Sequence, residues 1–180
     1  MRLGVLSFLG VLFLFSASCL TRSDVPPEPT KRTNAALKKV FERANKLDVA
    51  HDDMQIQGYM RRNALDSMLH DGRGMYYKVW GKALGPLPRE GVHVAIAYRT
   101  ELLDGTLCES SDTISPLELI VGKRAATIGL DELLLHVAPG QEAIAIVPPH
   151  LAYGIPGKGN RIPSQATIVY RITWLRYPKQ

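Results

Sequence analysis

Cysteine and histidine are the residues of this 180-residue sequence best suited to nucleophilic or metal chemistry. Its cysteines are Cys19 and Cys108, and its histidines (His51, His70, His93, His136, His150) are spread too widely for metal-ligand spacing. They read as ordinary surface or core residues. The stretch that draws the eye is "PPHLAYGIPGKGNRIPSQATIVY", residues 148 to 170. Glycine and proline make it a loop by default. Yet Leu151, Tyr153, Ile155 and Ile162 recur inside it, and it ends directly in a strand-like run. It is therefore either a plain connection or the wall of a binding site. Tyr153 likewise either caps the core with its hydroxyl in water or serves that site.

The rest of the chain must position such a wall. The length suits one domain with extensions, and hydrophobic (46%) and charged (22%) fractions are those of a globular protein. The net charge of +5 is scattered without an aromatic–basic stripe, which argues against nucleic acid as a partner. The start, "MRLGVLSFLGVLFLFSASC", has one arginine, an apolar run from Leu3 to Phe15, and small residues before Cys19. This is the layout of an export signal over residues 1–18. The run of about 13 residues is short for a bilayer span, which needs roughly 20. A cysteine directly after small residues resembles the lipobox of bacterial lipoproteins, where the thiol is acylated and becomes the first mature residue. Ser16 departs from the leucine usual in that motif. A plain cleaved signal and an uncleaved anchor are the other readings. With lipid on Cys19, Cys108 has no partner and is a free, buried thiol.

Residues 19–33 mix prolines with charges and read as an extended tether. Residues 34–71 read as a helical extension. Leu37, Val40, Phe41, Ala44 and Leu47 recur at helical spacing behind a candidate N-cap at Asn34, and a second helix is expected from about Asp52 to Ala64. These helices either pack on the main domain or form a dimerisation arm. From residue 72 to 180 the pattern is mostly β. A short aromatic strand (Met75 to Trp80) precedes the strict alternation of Val92, Val94, Ile96 and Tyr98. Asp104-Gly105 signals a hairpin. "PLELIVG", "QEAIAIV" and "ATIVYRITWL" are further strands, and "TIGLDELLLHVAPG" is a short amphipathic helix. One helix among about five strands predicts an α+β fold with an antiparallel sheet covering that helix.

From Gly91 to Leu175 the chain resembles FKBP-type peptidyl-prolyl isomerase domains. The resemblance is carried by "GVHVAIAYRTELLDGTLCESS", "SPLELIVGK", "IGLDEL", "APGQEAIAIVPPHLAYG" and "IPSQATIVYRITWL", in that order and spacing. The helices, the "GMYYKV" lead-in and the lipobox-like start are similar to lipid-anchored members from Bacteroidetes, including those associated with gliding motility. The resemblance implies a five- or six-stranded antiparallel sheet wrapped around one short helix, near residues 128 to 137. It also implies an apolar pocket between helix and sheet, proline-containing polypeptides as substrates, and no cofactor or metal.

Position by position, Tyr153 matches the tyrosine whose hydroxyl donates to a substrate carbonyl, and Tyr98 matches a pocket-lining tyrosine. Glu109 stands where the family carries aspartate, so Tyr153, Glu109 and Tyr98 are the candidate catalytic residues. The implied substrate-binding set is Cys108, Leu117, Ala126, Thr127, Leu130, Ile162 and Tyr170. Several depart from the pattern. Cys108 and Leu117 replace phenylalanines, Leu130 replaces a tryptophan, Ala126-Thr127 replace a Val-Ile pair, and Tyr170 stands where phenylalanine is usual. Each lost ring removes apolar contact of roughly 150–250 Å², so a wider, less aromatic pocket is expected. Two functions follow: a lipid-anchored isomerase facing the periplasm that assists folding of exported proteins, or a catalytically weak chaperone or scaffold of the same fold. Leu20 carries no inner-membrane retention signal, which favours the outer membrane.

Overall fold

The computed structural model describes residues 31–123 and 126–176. The export signal, Cys19 and most of the tether lie outside the described residues. The chain divides into two compact units, residues 1–38 and 39–180. Of the first, the described part is the opening of helix α1.

Helix α1 (Lys31–Arg62) runs without interruption where two helices were expected, and Asn34 lies inside it rather than at its cap. No glycine or proline stands between Lys31 and Gln57 to break it. For the same reason Lys31 to Thr33, expected to be extended, are helical. The helix closes on Arg61 and Arg62, whose charges suit the dipole at a C-terminus. Asn63 then folds back, its Nδ2 donating to the Tyr59 carbonyl at 2.9 Å.

The strands are β1 (Leu69–His70), β2 (Tyr76–Trp80), β3 (His93–Leu102), β4 (Leu107–Ser111), β5 (Leu117–Ile120), β6 (Glu142–Val147) and β7 (Ile168–Arg176). They form one antiparallel sheet in the order β1-β2-β6-β7-β3-β4, with β5 also paired to β3. This is the expected α+β arrangement, with the two-residue β1 as an added strand. Strand β3 is long because it serves three neighbours. Its first half pairs with β5, its second half with β4, and its other edge with β7 throughout. Register shifts at Ala95/Ile96 and Thr100/Glu101 mark bulges, which increase local twist and help the sheet curl.

Inside the curl lies helix α2 (Ile128–Leu134). Thr127 caps it, with Oγ1 accepting from the Leu130 backbone N–H at 3.1 Å. Leu130, Leu133 and Leu134 are buried against Val94, Ile96, Ile168, Tyr170, Ile172 and Trp174 of the sheet. The helix sits so close to β6 that a methyl group at Gly129 would run into Val147. On the opposite face, Ile56 and Tyr59 of α1 cover Ile144, Ile146 and Val169. There Tyr76 donates to Asp53 at 2.9 Å and accepts from Gln57 at 3.0 Å.

Candidate functional site

The site residues come from six pieces of chain and meet at the open end of the curl. Tyr98 lies on β3, Cys108 and Glu109 on β4, and Leu117 at the start of β5. Ala126, Thr127 and Leu130 mark the start of α2, Tyr153 and Ile162 the loop, and Tyr170 lies on β7. Antiparallel pairing explains part of this convergence. Thr100 of β3 is in register with Glu109 on one side and with Tyr170 on the other.

The floor is apolar and closed to solvent. Leu130, Ile162 and Tyr170 are each 1% exposed and Cys108 is 4% exposed. Tyr98, Leu117, Ala126 and Tyr153 are partly buried against the same core. Where the family's rings are missing, these side chains leave a floor sealed from water. A shallow cavity of about 360 Å³ lies at the hairpin, lined by Leu107, Cys108, Glu109, Ser110 and Arg161.

The loop is braced rather than loose. A short 3₁₀ turn (Pro149–Leu151) leads into it, and the Gly154 N–H donates back to the Pro149 carbonyl at 2.9 Å. Gln165 N–H donates to the Gly154 carbonyl at 2.9 Å. Lys158 and Ile162 exchange backbone hydrogen bonds, N–H to carbonyl, at 2.9 and 3.2 Å. Gly157 adopts φ +62°, and a methyl group there would run into the Ile162 carbonyl, so glycine is required.

Above the floor lie two sets of polar contacts. Thr127 Oγ1 lies 3.2 Å from the Tyr170 hydroxyl. Lys158 Nζ donates to the Tyr153 hydroxyl at 3.3 Å. The same ammonium meets Glu109 at 2.6 Å (Oε1) and 2.8 Å (Oε2). Lys158 was not singled out from the sequence; its only signal there is a lone cation between two glycines in "GKG". Arg161 was missed too, and its guanidinium reaches the Cys108 carbonyl at 3.5 Å.

Electrostatics keep the phenols of Tyr98 and Tyr170 and the thiol of Cys108 protonated. Burial pushes Tyr170 well above the ordinary tyrosine range, with a further push from Tyr153. Burial also raises Tyr98, and the Glu109 carboxylate adds to that while Lys158 opposes it. Burial alone would lower Lys158, but its bonds to Glu109 and Tyr153 outweigh that and hold it raised. Cys108 is a free, buried thiol raised by burial first and by Glu109 second. Its Sγ donates to the Arg161 carbonyl at 3.3 Å. Such a thiol is a neutral packing group, not a nucleophile. A separate hollow of about 480 Å³ lies along α1, lined in part by Asp52, Asp53, Arg73 and His150.

A sheet curled around one short helix, with a tyrosine-bearing loop over an apolar floor, defines a class of domain. The chain belongs to the FKBP-type peptidyl-prolyl cis-trans isomerase family, whose sequence profile matches residues 85–175. It is 31% identical over 90 residues to human peptidyl-prolyl cis-trans isomerase FKBP9, covering 49% of this chain and 16% of that one. FK506-binding protein 2 of Yarrowia lipolytica is 34% identical over 83 residues, covering 46% of this chain and 58% of that one. The matched segments thus span well under two thirds of these relatives. Among solved structures, a peptidyl-prolyl cis-trans isomerase from Pseudomonas syringae superimposes with a TM-score of 0.61 at 19% identity, covering 73% of this chain and 93% of that one. At that identity the likeness concerns the fold alone.

Proposed function

We propose that the chain is a prolyl isomerase acting on X-Pro bonds of exported polypeptides. The observation that carries this reading is the Tyr153 hydroxyl, held at the mouth of a floor made by Leu130, Ile162 and Tyr170. Rotation about a prolyl bond faces a barrier of roughly 18–20 kcal/mol from amide resonance. Unassisted, it takes tens to hundreds of seconds. No bond to carbon is broken, so no nucleophile is needed. An apolar floor that takes the proline ring away from water favours the twisted amide, whose charge separation is smaller than that of the planar form. The Tyr153 hydroxyl supplies a hydrogen bond to a peptide carbonyl and fixes the chain in register.

A protease-coupled isomerisation assay tests this. The chain should accelerate turnover of X-Pro peptides, and Tyr153→Phe should lower kcat/KM about tenfold, the effect of losing one useful hydrogen bond. A rate equal to the spontaneous one for several residues before proline would sink the reading.

A second reading is a binding module of the same fold with little turnover. It is favoured by the Lys158 bridge between Glu109 and Tyr153, which a peptide must meet on entering. Lipid on Cys19 would hold either protein at the periplasmic face of the outer membrane, as in the gliding-associated isomerases its sequence resembles. The exposed Val40, Phe41 and Leu47 of α1 supply an apolar stripe for a second copy of the chain. Cys19→Ser should release the chain from membranes; persistent tight association would count against lipidation.

A further inference from the structure

We propose that Lys158 is a positioning residue for the isomerisation: a fixed strut that ties Tyr153 to Glu109 and leaves the Tyr153 proton for a substrate carbonyl. The inference rests on the isomerase reading above. An ammonium has three N–H donors. At Lys158 they are matched by Glu109 Oε1 at 2.6 Å, Glu109 Oε2 at 2.8 Å and the Tyr153 hydroxyl at 3.3 Å. With its donors committed, Lys158 does not itself bind substrate. It also lies 5.1 Å from the centroid of the Tyr153 ring, where the ring's negative face attracts a cation.

The strut is held from behind. Lys158 is clamped to Ile162 through both backbone hydrogen bonds, and Ile162 is buried in the floor. Gly157, which tolerates no side chain, sets the turn that leads into it. The Lys158 side chain is 46% exposed, so the ion pair with Glu109 contributes little as a surface pair. Its value is geometric: it joins two walls of the site whose residues lie 49 positions apart in the chain.

Thr127 Oγ1 accepts the Leu130 N–H and shares a hydrogen bond with the Tyr170 hydroxyl in which either oxygen can donate. The direction is fixed at Tyr153: an ammonium has no acceptor, so the Tyr153 oxygen accepts from Lys158 and its own proton is left for another partner. Accepting hydrogen bonds polarises an O–H group, which makes it a stronger donor. A substrate carbonyl is the acceptor still missing.

The test uses the full chain and a double-mutant cycle. Lys158→Met should lower kcat/KM about fivefold, the loss of one modest hydrogen bond. In a Tyr153→Phe background it should lower kcat/KM no further, because the strut acts only through that hydroxyl. Equal losses in both backgrounds would overturn the proposal. A spectroscopic arm is independent of turnover: nitrogen-15 correlation spectra of the lysine ammonium groups at low temperature. Tyr153→Phe should move the Lys158 ammonium resonance, and an unmoved resonance overturns the strut whatever the assay gives. If the resonance moves and the unmodified chain shows no isomerisation, the strut stands and the isomerase reading fails.

Discussion

On strand β6, Ala143, Ala145 and Val147 join the core around α2, while Ile144 and Ile146 lie under α1. One strand thus serves two cores that differ in kind. The inner core combines small residues on β6 with large ones on β7 (Tyr170, Ile172, Trp174), and a helix with a glycine at its closest approach. Its shape must be right, because its open end is the candidate site. The outer core is a thin layer in which Ile56 and Tyr59 cover three aliphatic side chains and polar bonds from Asp53 and Gln57 fix Tyr76. Nothing in the outer layer touches Tyr153, Glu109 or Lys158. Stability is drawn from both faces, whereas site geometry is drawn from one.

Truncating one residue on each face separates the two contributions. Leu133 is fully buried in the inner core, and Leu133→Ala should cost about 2–5 kcal/mol of stability through lost contacts and a residual cavity. Helix α2 would then settle differently, so kcat/KM of the protein that remains folded should fall as well. Ile56→Ala on the outer face should cost about 2 kcal/mol, at the low end of that range because a helix on the rim can relax into the gap. Its kcat/KM per folded molecule should match the parent. Denaturant melts and assays at matched folded fractions read both numbers. Equal losses of activity from the two substitutions would show that the faces are not independent.

The inner face was largely legible in the sequence, and the outer face was not. Alternation of Val94, Ile96 and Tyr98, and of Ile168, Tyr170, Ile172 and Trp174, marks strands with one buried side, and these strands formed. The family resemblance, rather than any periodicity, implied that Tyr153, Ile162 and Glu109 belong to one site. By contrast, β6 reads as continuous apolar residues, which does not reveal that two different layers cover it. Helix α1 was expected as two helices, with a break between Leu47 and Asp52, although no residue there breaks a helix. Lys158 carried only a faint local signal, a lone cation between two glycines. Its role arises only when the loop folds over β4 and brings the ammonium to a carboxylate from a distant segment. Long-range pairs of this kind leave no periodicity for a local pattern to catch.

The smallest effect expected is also confined to the inner face and concerns the hydroxyl of Tyr170. Replacing it by phenylalanine removes its hydrogen bond with Thr127 but keeps the ring. The α2 cap survives, since Thr127 Oγ1 still accepts the Leu130 N–H. Stability near neutral pH should change by only about 1 kcal/mol, the net worth of one hydrogen bond. The difference should appear at alkaline pH. Tyr170 in the folded protein is raised well above its ordinary value, while in the unfolded chain it ionises near pH 10. Above about pH 10 the unfolded state therefore binds fewer protons than the folded state, and stability falls as pH rises. Tyr98, Cys108 and Lys158 are raised as well and act in the same direction. Tyr170→Phe should make the alkaline decline shallower without abolishing it, whereas Ile56→Ala should shift the whole curve down and leave its slope unchanged. Urea melts from pH 8 to pH 11 distinguish the two patterns. An unchanged alkaline slope in Tyr170→Phe would mean that the hydroxyl titrates as freely in the folded protein as in the unfolded chain.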